Sequence, residues 1–328
     1  MGRVLLVAVV AWLLLRLLRA VDWSRVGYAM THLSPWQILV LLLVLPIRRF
    51  VLATPLALFV TGLSVPRAMV NDVAASSVAT IAPSPGDVVV RLAMLRSWGI
   101  DAKAAASGLT LSTLMFYIAR LAAPVLGFLV FWIGRSFDAR LGWAALVFGA
   151  GAAALLVGLI YAVRAERTAA ALGRLLGSLI RKVRPSANGP EEWAERLVDF
   201  QAHSAGLLKA HGRLAAVSLC GLVVVEAGVL ILCLAFVGVP MSGATVLLLG
   251  CTFLVTYPLT GLPLMGAGVL DASYAAFVSS HSDLEATTLV AGLLVWRVAV
   301  QVVPVVVGLL TLVRWRHLNR GTVSHRAR

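Results

Sequence analysis

Six ionisable side chains stand within or beside long apolar stretches of this 328-residue sequence: Asp87, Arg91, Arg120, Glu226, Asp271 and Arg297. A charge in hydrocarbon costs at least about 2.5–3.5 kcal/mol on insertion scales, so each charge needs a partner, water or a ligand. Asp271 and Arg297 share one half of the chain and are expected to pair. Asp87 and Arg91 form a weaker expected pair. Glu226 has no evident partner nearby, and a protonated carboxyl that bonds a neighbouring helix is one interpretation of it. For these residues the sequence is compatible both with ligand binding and with structural ion pairing.

Two helix-breaking segments precede these charges. The first is Pro83-Ser84-Pro85-Gly86-Asp87, and the second is Pro263-Leu264-Met265-Gly266-Ala267-Gly268, shortly before Asp271. Proline and glycine stop helices and leave backbone groups free. Free N–H groups at the next helix start favour an anion such as phosphate, whereas Asp87 and Asp271 favour a cationic group or simply cap the helix. The predicted loop residues are Pro83, Pro85, Gly86, Pro263, Gly266 and Gly268.

Composition predicts an all-α, polytopic membrane protein. The chain is 60% hydrophobic and its mean hydropathy is +0.95, which a soluble protein of this length could not bury. The net charge is +14, but basic residues stand at the ends of apolar segments, which is typical of positive-inside topology and contact with anionic lipid headgroups at the cytoplasmic face. Nucleic acid is therefore not an expected partner. No metal spacing and no enzyme motif is visible, so no cofactor, metal or catalytic activity is expected.

The apolar segments predict about six full transmembrane helices and two re-entrant or broken helices, eight hydrophobic segments in all. Residues 67–82 are short for a crossing and precede Pro83, so we expect a re-entrant element that enters from the cytoplasm. Residues 244–280 either enter from outside as a second re-entrant element or cross twice as two short helices. In the re-entrant case the two halves form an inverted repeat whose broken loops meet near the midplane.

The predicted organisation has four parts. Residues 1–163 form a membrane half with the first loop, 164–213 a basic amphipathic linker, 214–313 the second membrane half and 314–328 a basic tail. Basic residues place the linker and both termini in the cytoplasm, with the protein in the inner cell membrane. Leucines at positions 172, 175, 176 and 179 predict a helix on the anionic leaflet. Residues 4–20 predict a first span, and 36–47 predict a second that ends at Arg48-Arg49, interpreted as a cytoplasmic stop signal. The apolar residues 50–64 either extend this second span or lie along the interface.

The two broken segments resemble motifs of the flippase-like integral membrane family that includes the membrane region of lysylphosphatidylglycerol synthases. The family pattern of Pro, a few residues, Gly-Glu and then Arg corresponds to residues 83–87 and Arg91. The pattern Pro-x-x-Gly-Gly-x-Gly followed by Glu corresponds to residues 263–271. A final Arg-containing span that ends in Pro and Gly corresponds to Arg297, Pro304 and Gly308. Both family glutamates are aspartates in this chain, and one glycine of the second pattern is alanine.

This resemblance implies translocation of a lipid or lipid-linked glycan headgroup between leaflets. The implied partner is a membrane phospholipid or a polyprenyl-linked glycolipid, and a homo-oligomer is one open assembly state. Asp87 and Asp271 would contact cationic or hydroxyl groups of the headgroup, and Arg120 and Arg297 its phosphate. Lysine transfer is not expected, because the sequence shows no soluble aminoacyl-transfer domain. The alternative function is a non-transporting membrane scaffold or accessory subunit for a cell-envelope lipid-modifying enzyme, acting through residues 164–213.

Overall fold

The structure is a computed structural model that describes residues 33–81, 86–134, 139–164, 166–183 and 188–325. Helices dominate it, and no strand occurs in these ranges. The helices are α1 (Pro35–Phe59), α2 (Val65–Ile81), α3 (Gly86–Ser97), α4 (Ala102–Gly134), α5 (Ala139–Arg164), α6 (Glu166–Val183), α7 (Pro190–Phe236), α8 (Gly243–Thr256), α9 (Val269–Ser280), α10 (Ala286–Arg297) and α11 (Val303–His325). The predicted span 4–20 and the loop residues Pro83 and Pro85 lie outside the described residues.

Six helical stretches in the described ranges are long and apolar enough to cross a membrane. They are Pro35–Phe59, Ala102–Gly134, Leu141–Arg164, Pro190–Phe236, Gly243–Gly261 and Ala286–Leu318. A helix satisfies its backbone hydrogen bonds internally, which hydrocarbon requires of any spanning segment. The predicted all-α, multi-pass architecture is therefore confirmed.

Helix α1 differs from the prediction for this region. Pro35 occupies its first turn, where a missing N–H is tolerated, and the Gln37 side chain accepts a hydrogen bond from the Ser34 N–H at 2.8 Å. The helix then continues through Arg48 and Arg49 to Phe59. The interpretation of this arginine pair as a stop signal is therefore wrong, and of the two possibilities for the residues that follow, the structure shows an extension of the helix as far as Phe59. Both side chains are buried and meet acidic partners, so their charge does not force the helix to end there.

Two pairs of helices form hairpins at the helix-breaking segments. Helices α2 and α3 pack against each other, and α8 leads into α9 through a 3-10 turn (Tyr257–Gly261) and a left-handed turn (Pro263–Gly266). Glycines let each hairpin approach its neighbour closely. A Cβ at Gly308 on α11 would overlap the Val73 carbonyl of α2, and one at Gly127 on α4 would lie 2.8 Å from the Leu254 Cβ of α8.

Side-chain contacts define the two ends of the bundle. At one end, which we call the Phe236 end, Trp36 meets Phe236 with ring centroids 5.4 Å apart. At the other, which we call the Ser97 end, the Trp315 indole N–H donates to the Ser97 hydroxyl at 3.0 Å. These contacts tie α1 to α7 at the first end and α3 to α11 at the second.

Helices α6 and α7 form a third hairpin. A Cβ at Gly173 would meet the backbone of Ala194, so α6 lies directly against the beginning of α7. Helix α7 has 47 residues and runs without interruption through residue 213, where the sequence suggested a boundary between linker and membrane half. On α6, the side chains of Leu175, Leu176 and Leu179 are exposed.

Candidate functional site

A buried carboxylate joins the first three helices. The Asp72 Oδ2 atom of α2 lies 2.7 Å from Arg49 Nη1 on α1, and its Oδ1 atom lies 2.9 Å from Arg91 Nη2 on α3. The Asn71 amide also donates to the Arg91 backbone carbonyl at 3.0 Å. We call Arg49, Asp72 and Arg91 the Asp72 cluster. It places two guanidinium groups on one carboxylate.

A second ion pair lies next to this cluster along α1. Arg48 Nη2 lies 2.5 Å from Glu226 Oε1 on α7, and both side chains are almost fully buried. Nε and Nη1 of Arg48 and Oε2 of Glu226 have no hydrogen-bond partner among the described residues. Buried polar atoms are nearly always satisfied by protein or ordered water, so these unsatisfied atoms indicate a place for water or a ligand.

Arg120 is the half-buried arginine of α4. Its guanidinium carbon lies 4.5 Å from the centre of the Phe116 ring and 5.8 Å from that of Tyr257, which are cation–π distances. A Cβ at Gly261 would lie 3.0 Å from Arg120 Nη1, so this glycine lets the chain pass close to the arginine. Within the described part of the chain Arg120 has no acidic partner, and its buried Nε atom has no hydrogen bond.

A second cluster lies where α9 begins. Arg297 Nε donates to both carboxylate oxygens of Asp271, at 2.9 and 3.0 Å, and Arg297 Nη1 donates to the Leu264 carbonyl at 3.3 Å. The Gly268 N–H donates to Asp271 Oδ2 at 2.9 Å. Asp271 therefore caps α9 and pairs with an arginine at the same time. We call Asp271, Arg297 and the connected backbone of Leu264 and Gly268 the Asp271 cluster.

The turn before α9 holds backbone strain. Leu264 and Met265 have φ values of +57° and +53°, in the left-handed region that residues other than glycine avoid. Gly266 and Gly268 have φ values of +66° and +84°, which glycine adopts without strain. Strained residues cluster at functional sites and persist when surrounding contacts hold them. The bond from Arg297 to the Leu264 carbonyl is one such contact.

The helix is also irregular directly after Arg297. Residues Val298–Val302 form a π segment between α10 and α11, and the Val303 N–H bonds the Val298 carbonyl. Pro304 follows at once and has no N–H to donate to the preceding turn, which accounts for the disturbance of the ladder. π segments occur frequently at functional sites. Both sides of the Asp271 cluster are thus breaks in regular helix.

The structure brings some of the predicted residues together. Asp271 pairs with Arg297 as expected. The expected pairing of Arg91 with Asp87 is wrong, because Arg91 bonds Asp72 instead. Asp87 stands in the first turn of α3 and makes no ion pair with a described residue. Glu226, for which the sequence suggested no nearby partner, pairs with Arg48 on α1. Of the predicted loop residues, Gly86 begins α3, and Pro263, Gly266 and Gly268 belong to the turn before α9.

Sequence reasoning missed Asp72, Arg48 and Arg49. The available signal for Asp72 was an acidic residue beside Asn71 in an otherwise apolar, small-residue helix. Two adjacent arginines are typical of a membrane interface, which is why they suggested a stop signal. Their acidic partners lie on other helices, so their burial depends on tertiary packing.

The family described as lysylphosphatidylglycerol synthase TM region matches residues 3–308 of the chain. The chain belongs to this family. The match includes both clusters, both helix-breaking segments and Arg120, so the family relationship spans the whole bundle. No curated protein and no solved structure matches the chain. Membership in a family of lipid-synthase membrane regions gives this protein a membrane, lipid-related function.

Proposed function

We propose that this protein moves a polar lipid headgroup across the cytoplasmic membrane while the acyl chains stay in the bilayer. The observation that carries this proposal is the set of buried charges inside helices long enough to span a membrane. Arg48, Glu226 and Arg120 all lie in such helices. Ionisable groups at this depth are costly, and membrane proteins use them mainly for substrate or ion pathways. The Asp271 cluster adds a strained turn with exposed backbone beside those charges.

The proposed site lies between two re-entrant hairpins that enter from opposite faces. The contact of Phe131 with His281 supports an entry of α8 and α9 from the Phe236 end. The bond between Ser97 and Trp315 supports an entry of α2 and α3 from the opposite end. The tip of the second hairpin, at Gly261, lies beside Arg120, which is 14 residues and about 21 Å before the end of α4. Transporters built from inverted repeats bind their cargo at such broken helices.

The residues have separate roles in this proposal. Arg120, which has no acidic partner in the described ranges, contacts the phosphate of the headgroup. Asp271 and Arg297 hold the turn before α9 and exchange partners when the headgroup arrives. Arg91, Glu226 and Asp87 determine the net charge around the bound headgroup. No bond is made or broken in this cycle, so the protein is not an enzyme, and its termini and the α6–α7 hairpin lie in the cytoplasm.

Asp271→Asn is the first test. Purified protein in liposomes is supplied with fluorescent phospholipids, and leaflet exchange is measured by chemical quenching of the outer leaflet. We expect Asp271→Asn to lose exchange while it remains folded by size-exclusion chromatography, because its amide cannot replace the ion pair with Arg297. Asp199→Asn is the matched control, since it makes the same change in an exposed pair with Lys103.

Normal exchange by Asp271→Asn would remove this residue from the site. A complete lack of exchange by folded wild-type protein would instead favour the second candidate function, a non-transporting scaffold. The observation behind that candidate is the apolar face formed by Leu175, Leu176 and Leu179 on α6, which is exposed and flanked by basic residues such as Arg174 and Arg181. In that case this leucine face would be tested for binding of a partner protein and for contact with the anionic leaflet.

A further inference from the structure

The buried charges of the described residues do not balance. Five arginines and three acids are buried or half-buried inside the bundle: Arg48, Arg49, Arg91, Arg120, Arg297, Asp72, Glu226 and Asp271. The excess is two positive charges. Asp87, which is half-buried at the beginning of α3, lowers the excess to one when it is counted. The interior that the described residues form is therefore net positive by either count.

The excess charge is located at two places. Arg48 and Arg297 each have their own carboxylate, Glu226 and Asp271. Asp72 serves two arginines at once, so the Asp72 cluster carries one positive charge. Arg120 carries the other. The excess charge at Arg120, beside the turn at Gly261, is thus present by either count, whereas the excess in the α1–α3 region is offset when Asp87 is counted.

An uncompensated guanidinium away from bulk water is unfavourable, because it loses hydration without gaining an opposite charge. Outside the Asp271 cluster, four guanidinium nitrogens are buried without a hydrogen-bond acceptor among the described residues: Nε of Arg49 and Arg120, and Nε and Nη1 of Arg48. A guanidinium presents a planar set of N–H donors that matches the oxygens of phosphate, often in pairs. The rings of Phe116 and Tyr257 hold the guanidinium of Arg120 in place.

We propose that the cargo is a phosphate-ester lipid whose headgroup carries net negative charge, and that Arg120 binds its phosphate. This inference rests on the proposed transport function and names the substrate class for it. A headgroup that also carries amines brings additional positive charge next to these uncompensated arginines. A cationic aminoacylated phospholipid is therefore a poor cargo for this chain, and a zwitterionic lipid is intermediate.

The experiment compares three fluorescent lipids with identical acyl chains in the same liposomes: phosphatidylglycerol, phosphatidylethanolamine and lysylphosphatidylglycerol. We expect exchange rates to fall in that order, with a difference on the order of tenfold or more between the first and the last, equivalent to about 1.4 kcal/mol. Arg120→Gln should lower phosphatidylglycerol exchange and reduce the preference among headgroups. Arg120→Lys, which keeps the charge, should restore part of both. Lys103→Gln removes a charge from an exposed pair and should leave the preference unchanged.

The headgroup preference distinguishes this inference from the proposed function. Exchange of lysylphosphatidylglycerol at least as fast as phosphatidylglycerol would overturn the anionic cargo and leave transport intact. No exchange of any lipid would overturn transport itself. Native mass spectrometry in detergent, with either short-chain phosphatidylglycerol or inorganic phosphate added, distinguishes binding of the lipid from binding of a free anion. Binding of the lipid that Arg120→Gln abolishes supports the proposal, whereas binding of inorganic phosphate alone would assign the arginine to a soluble anion and overturn it.

Discussion

Asp72 and Asp271 each hold a buried or half-buried arginine, but their remaining partners differ. Asp72 bonds side chains of α1 and α3, so its cluster joins three helices through side chains alone. Asp271 bonds Arg297 and the backbone N–H of Gly268, and Arg297 in turn bonds the Leu264 carbonyl. The same pairing of carboxylate and guanidinium therefore fixes helix packing in one region and the conformation of a turn in the other.

The largest expected effect is a difference in stability between the asparagine variants of the two acids. Asp72→Asn leaves two arginines without a carboxylate, and removing one partner of a buried pair is destabilising by about 3–5 kcal/mol. Asp271→Asn should be milder, because its side chain is more exposed, 20% against 10%, and its amide oxygen still accepts from Gly268. Thermal unfolding in detergent, followed by tryptophan fluorescence, measures the midpoint of each variant. An equal or larger loss for Asp271→Asn would contradict the assignment of packing to the Asp72 cluster.

The next effect concerns the turn of the Asp271 cluster. Gly266 and Gly268 both have positive φ, which alanine adopts only with strain, and this strain costs about 1–2 kcal/mol per residue in the left-handed helical region. A Cβ at Gly266 would also lie 2.5 Å from the Leu259 carbonyl, whereas one at Gly268 meets nothing within 4 Å. Gly266→Ala should therefore lower the unfolding midpoint and lipid exchange more than Gly268→Ala. The reverse order would show that the turn is not held against Leu259.

The smallest effect comes from an exposed acid that caps a helix as Asp271 does, but without an arginine. Asp101 accepts hydrogen bonds from the N–H groups of Lys103 and Ala104, at 2.9 and 3.1 Å, and these bonds lower its pKa below the usual range. A lowered pKa means that the carboxylate stabilises the fold above its ordinary pKa of about 4, and that this contribution is lost as the pH falls further. Asp101→Ala should lower the unfolding midpoint slightly at pH 7, and the difference from wild type should shrink near pH 3. A difference that is independent of pH would show that the charge of Asp101 is not involved.

Part of this arrangement could be predicted from the sequence. The all-α membrane class follows from composition, and the break before α9 follows from the prolines and glycines of residues 258–268. The pairing of Asp271 with Arg297 could be expected because both lie in the last apolar segments. The first two conclusions depend on local features of the chain, whereas the Asp271–Arg297 pair spans 26 positions and was expected because an acid and an arginine stand in successive apolar segments.

The remaining part depends on contacts between helices that no local feature of the sequence indicates. Arg49 meets Asp72 across 23 positions, and Arg48 meets Glu226 on a helix much further along the chain. A single sequence contains no periodicity or spacing that would indicate such pairs, so Arg48 and Arg49 resembled an interfacial stop signal. The continuity of α7 was missed for a similar reason, because its polar first half and apolar second half differ in composition but share one helix.

The length of α7 has a mechanical consequence. Glu226 lies 36 residues after Pro190 on this helix, a distance of about 54 Å at 1.5 Å per residue. One uninterrupted helix therefore connects the ion pair with Arg48 to the α6–α7 hairpin. Between these points Leu207 and Leu208 pack against a buried cluster that includes Phe59, so α7 is held along the bundle. Because no loop interrupts α7, a shift of this helix at the ion pair would be passed along the same backbone to the hairpin that carries the leucine face of α6.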